Sequence, residues 1–142
     1  MAPGHTLHDR ALLFLRLAIG LCYLWFGLLK LFPGQSPMEP LMRSAYDFLA
    51  QWNIMPLRLF ILVIGIWEML IGIGFFVGRY MNILAVLILL QLAGAFSPIV
   101  LAPEEVWKSF PFVLTLAGQY IIKDLVLLGA VFVLWSAARS RA

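Results

Sequence analysis

Cysteine occurs once in the 142 residues, at Cys22, and histidine twice, at His5 and His8. One thiol cannot close a disulfide within the chain, which argues against a dithiol relay of the kind used by disulfide-forming membrane enzymes. Both histidines sit in the N-terminal tail with no ligand cluster around them, so no metal site is expected. Charge is scarce too: Asp, Glu, Lys and Arg make up 12% of the chain, against roughly 25% in an ordinary soluble domain. The basic residues are scattered and form no run with interleaved aromatics, so nucleic acid is not an expected partner.

What the chain has instead is apolar length. Hydrophobic residues make up 63% of it and the mean hydropathy is +0.99. A chain this short cannot bury several uncharged runs of about 20 residues in a soluble core, so the solvent for those runs is lipid. The first run, from Ala11, is too long for a signal-peptide core and no small-residue cleavage pattern follows it, so a cleaved leader is not expected.

Four spans are expected, over about 11–32, 56–78, 81–102 and 119–137, within a single membrane domain covering 1–142. Pro33-Gly34 stops the first, and Pro56 suits the first turn of the second. Arg79 and Tyr80 leave only a tight turn before the third, and Pro98 loosens its far end. The segment 35–53 carries Arg43 and Asp47 among Leu41, Tyr46, Phe48, Leu49 and Trp52. It reads as a short amphipathic helix at the membrane surface, with a plain connecting loop as the alternative. Residues 103–118 read as a second long loop. The expected fold is therefore all-α: a polytopic four-transmembrane-helix bundle with a surface helix between spans 1 and 2.

Four spans put both termini on one side. Arg10, Arg16, Arg79, Arg139 and Arg141 lie there against Asp9, and an equal number of basic residues, Lys30, Arg43, Arg58, Lys108 and Lys123, lies at the other. The first set is concentrated in short tails and a short turn, which favours cytoplasmic termini.

Polar residues inside the spans are the functional signal. In the first span Arg16, Gly20, Tyr23, Gly27 and Lys30 share one face at spacings of four, three, four and three, and small residues at that spacing let backbones approach closely in a bilayer. In the second, Gly65, Glu68, Gly72 and Arg79 share a face, with Glu68 near the midplane. Gln91 lies at similar depth in the third span, so the antiparallel turn can bring it to Glu68. The stretch TLAGQYIIKDLVLLGA (115–130) carries Gln119, Lys123 and Asp124 into the start of the fourth span.

Lys30, Gln119, Lys123 and Asp124 are expected to gather at the outer mouth, where they can hold a polar headgroup, a carbonyl or an anion, while Glu68 and Gln91 line the interior. Glu68 has three candidate states: protonated, paired with Arg16, or hydrogen-bonded to Gln91 and Tyr23. The plainer readings are that the lysines snorkel to the interface and that Glu68 is an interhelical tie. Cys22 reads as packing, and Trp25, Trp67, Trp107 and Trp135 as packing and interface anchors.

WFGLLKLFPG (25–34), WEMLIGIGFFVGRY (67–80), LQLAGAFSPIVLAPEEVW (90–107) and TLAGQYIIKDLVLLGA (115–130) together resemble the DoxX group of small four-span bacterial membrane proteins. The resemblance implies a four-helix bundle in the inner membrane and does not fix a reaction. Relatives include the membrane subunit of thiosulfate:quinone oxidoreductase and a mycobacterial partner of a membrane oxidoreductase complex; others are assembly factors. Lys30, Glu68 and the group Gly118, Gln119, Lys123 and Asp124 match positions of the family pattern. No nucleotide motif, haem ligand pair or iron–sulfur cysteine set accompanies them, so any electrons must pass through a partner subunit or a bound quinone. The expectation is a small subunit that binds a quinone, or another lipophilic molecule with a polar head, and that associates with a protein partner or a second copy. Its alternatives are a non-enzymatic scaffold or assembly factor and, lower, a transporter of a small solute or protons.

Overall fold

The computed structural model describes residues 7–140, with only the backbone of Leu49; His5 and Arg141 lie outside the described residues. Helix α1 (Leu7–Leu29) is followed by α2 (Glu39–Ala50), α3 (Leu57–Val77) and α4 (Met81–Phe96). Two single turns, α5 (Pro98–Leu101) and α6 (Pro103–Val106), lead into a small hairpin of β1 (Trp107–Ser109) and β2 (Val113–Leu114), and α7 (Leu116–Arg139) closes the chain. Four helical segments are long and apolar enough to cross a membrane: Leu7–Leu29, Leu57–Val77, Met81–Leu101 and Leu116–Arg139. The protein is thus an all-α polytopic membrane protein with a short helix between spans 1 and 2.

The boundaries follow local chemistry. Pro56 is the N-cap of α3, one residue outside the expected first-turn position, and α3 ends where Gly78 takes up the left-handed conformation at φ 73° and returns its N–H to the Gly74 carbonyl. Pro98 interrupts the third span as expected: α4 ends at Phe96 and α5 restarts at Pro98. Residues 103–118 are not one long loop. Thr115 caps α7 by accepting from the Gly118 N–H at 3.0 Å, so that helix starts three residues before the expected Gln119. The Thr115 N–H also donates to the Val106 carbonyl at 3.0 Å, which fastens α6 and the hairpin to the start of α7.

The helices close a ring in which α1 packs on α3, α3 on α4, α4 on α7 and α7 on α1. The α1–α3 contact is the most extensive, and its cause is glycine. Gly20 and Gly27 on α1 meet Gly72 and Gly65 on antiparallel α3; a Cβ at Gly72 would lie 2.6 Å from the Leu24 backbone nitrogen, and one at Gly27 would lie 2.7 Å from the Gly65 carbonyl oxygen. Both pairs are seven residues apart, so seating one seats the other.

Two apolar clusters fill the ring. Ile19, Ile71, Phe75, Leu84, Ile88 and Leu134 pack toward the end that carries the termini, and Leu41 of α2 joins Val106 and Ile121 toward the opposite, loop end. Helix α2 thus buries Leu41 in the bundle, while Phe48 and Trp52 stay exposed and stack edge-on at 5.5 Å. Cys22, expected in packing, is exposed on the outer side of α1.

Candidate functional site

Between the two apolar clusters lies a buried polar group contributed by three spans. Lys30, one residue past the end of α1, donates from Nζ to Glu68 Oε2 at 2.5 Å, and Gln91 Nε2 of α4 donates to Glu68 Oε1 at 2.6 Å. Lys30 is 4% exposed and Glu68 7%, so neither reaches solvent or headgroups. Burying this ion pair is tolerable because the two carboxylate oxygens of Glu68 have one donor each.

Asp124 of α7 brings the fourth span to the same group. It is partly buried, lies within electrostatic reach of both Lys30 and Glu68, and makes no hydrogen bond among the described residues. Buried Tyr23 feels the charges of Asp124 and Glu68 from the α1 side, but no hydrogen bond joins it to Glu68 among the described residues. Gln91 uses its amide N–H on Glu68 and leaves its Oε1 buried with no partner among the described residues; Trp67 Nε1 and Arg16 Nε are in the same condition.

The cluster differs from the expected one in membership. Lys30, Glu68, Gln91 and Asp124 come together, whereas Gln119 and Lys123 are exposed and point away, with the Lys123 ammonium 5.5 Å from the Tyr120 ring centre. Side chains tilt toward the N-terminus of their own helix. Lys30 ends a helix that runs toward the loop end, so its tilt aims back into the bundle, and Nζ also approaches the Phe26 carbonyl at 3.4 Å. Lys123 begins a helix at the loop end, so the same tilt aims it out toward the interface. Asp124, rotated about 100° from Lys123, turns inward instead.

Arg16 is not the partner of Glu68. Its guanidinium packs against Gly78, ten residues farther along α3, or about 15 Å at the helical rise. Sequence reasoning also missed Arg58, which counts there only as a charge near a span end. In the fold it donates to the Lys30 carbonyl at 3.0 Å and to the Leu31 carbonyl, satisfying backbone groups left open where α1 stops. The glycine register carries the missing signal: with Gly27 on Gly65, α1 ends several residues inside the start of α3, and a cation in the first turn of α3 faces its open carbonyls.

A four-span bundle with a buried charged pair and two partly buried polar side chains beside it defines an integral membrane protein with an internal polar site. The DoxX family model matches residues 11–102, and the chain belongs to the DoxX family. That match takes in Lys30, Glu68 and Gln91 and ends before α7, so Asp124, Lys123 and Gln119 stand outside it. No curated protein and no solved structure matches the chain.

Proposed function

We propose that the protein is a small membrane subunit that binds a quinone, or another lipophilic molecule with a polar head, beside a membrane oxidoreductase. The observation that carries this reading is the incomplete satisfaction of the buried group. Gln91 Oε1 lacks a donor and Asp124 lacks any hydrogen-bond partner among the described residues, next to an ammonium that can also serve a carbonyl. A quinone presents carbonyl acceptors and its reduced form presents hydroxyl donors, so the same four side chains can serve both forms. In this reading its two electrons come from a partner protein, and Asp124, whose carboxylate has no hydrogen-bond partner among the described residues, exchanges its protons, with Glu68 behind it on Lys30 and Gln91.

A second reading has its own support. Lys30 and Glu68 satisfy each other and, with Gln91, join α1, α3 and α4, as an interhelical tie in a scaffold or assembly factor would. In either case we infer that the termini face the cytoplasm. Lys30 is withdrawn into the bundle, which leaves the terminal end with the denser basic set of Arg10, Arg16, Arg79 and Arg139.

Solvent extraction of the protein purified from its native membranes, followed by mass spectrometry for isoprenoid quinones, separates the two. Ligand binding predicts a quinone at near-stoichiometric amount in the wild type and its loss in Asp124→Asn at unchanged melting temperature. A quinone-free wild type that still purifies with a second polypeptide favours the scaffold.

A further inference from the structure

A groove of about 460 Å³ runs between α4 and α7 near the terminal end, walled by apolar side chains such as Ala85, Leu89 and Leu128. Its mouth has a different chemistry. There Trp135 Nε1 donates to Asn82 Oδ1 at 2.8 Å, and the Arg139 guanidinium stands 5.1 Å from the Trp135 ring centre.

We infer that this groove is a binding site for an anionic phospholipid, with the phosphate on Arg139 beside Asn82 and one acyl chain laid along Ala85, Leu89 and Leu128. The groove is on the outside of the ring of spans, where the adjoining phase is lipid. Its apolar walls select a hydrocarbon chain. Its mouth, where a phospholipid carries its phosphate, presents a guanidinium held by an aromatic ring and a neighbouring amide. The surrounding charge has the matching sign on balance, since Arg10, Arg16 and Arg79 outnumber Asp9 at the same end. A second copy in the same membrane orientation fits less well, because a two-fold contact through this groove would bring Arg139 toward its own counterpart.

Native mass spectrometry from mild detergent tests this, with equimolar dioleoyl phosphatidylglycerol and dioleoyl phosphatidylcholine added to the protein. The wild type retains the anionic lipid in about fivefold preference, the effect of one basic side chain near an anionic surface. Arg139→Gln, at an exposed position, brings the two lipids to parity, while Arg10→Gln leaves the preference unchanged. Ala85→Phe, which fills the groove, lowers retention of both. Equal retention by the wild type, a preference that survives Arg139→Gln, or a dimer that holds no lipid overturns the assignment. A failure of Ala85→Phe to fold leaves the headgroup comparison decisive. Because Arg139 is remote from Glu68 and Asp124, the outcome is independent of quinone binding there.

Discussion

Lys30 and Glu68, 38 residues apart in sequence, meet at 2.5 Å inside a bundle whose other buried side chains are almost all apolar. The pair ties the end of the first span to the middle of the second. Removing one partner leaves an uncompensated charge in a medium that cannot solvate it.

Lys30→Met should therefore destabilise the protein by about 3 to 5 kcal/mol, the usual cost of breaking a buried pair. Lys30→Met combined with Glu68→Leu should recover most of that loss. Thermal unfolding in detergent across the double-mutant cycle gives the coupling directly. Equal losses in single and double variants would contradict the pairing.

The glycine seam predicts a sharp contrast between positions of the same residue type. Gly72→Ala drives a Cβ into the backbone of α1 and should cost roughly 1 to 3 kcal/mol, because neither backbone can step aside. Gly94→Ala and Gly129→Ala meet nothing within 4 Å and should be neutral or stabilising by up to about 1 kcal/mol. Melting temperatures of the three variants check this.

Arg58→Gln should loosen the end of α1. Its two hydrogen bonds to the Lys30 and Leu31 carbonyls are charge-assisted, each worth about 1.5 to 3 kcal/mol. Faster hydrogen exchange confined to the amides around residues 27–35 is the expected signature. Unchanged exchange there would show that water replaces the guanidinium at no cost.

Lys123→Met and Asp124→Asn are adjacent substitutions with opposite expectations. Lys123 is exposed, stands over the Tyr120 ring and makes no hydrogen bond or ion pair among the described residues, so its loss should move stability by no more than about 0.5 kcal/mol and leave retained ligand untouched. Asp124→Asn changes the carboxylate beside Lys30 and Glu68 and should reduce retained quinone. Ligand content measured by solvent extraction separates the two.

The spans were legible in the sequence because lipid imposes length and hydropathy on them, and Pro33, Pro56, Gly78 and Pro98 marked their ends within a few residues. The face carrying Gly20, Tyr23, Gly27 and Lys30 was legible for the same reason, since helical spacing is a local property. The meeting of Glu68 with Gln91 followed from the short turn at Arg79 and Tyr80. What failed was depth and direction. Lys30 and Lys123 look alike in sequence, both near the loop end of a span, and only the opposite polarity of their helices sends one inward and the other out. The relative sliding of α1 along α3, which puts Lys30 within reach of Glu68 and Arg58 over the end of α1, is a property of two helices together. The α6 turn and the hairpin at 107–114 were read as loop because strands of two and three residues leave almost no periodic signal.

The most direct test replaces the buried pair by apolar side chains and asks what else disappears. Decylubiquinone titrated into lipid nanodiscs holding the wild type should quench Trp67, next to Glu68 in α3, in a saturable way. The Lys30→Met/Glu68→Leu variant, with helical circular dichroism and melting like the wild type, should show no saturable quenching. Saturation of that variant at the same quinone concentration as the wild type would contradict the account and leave the pair as an interhelical tie alone.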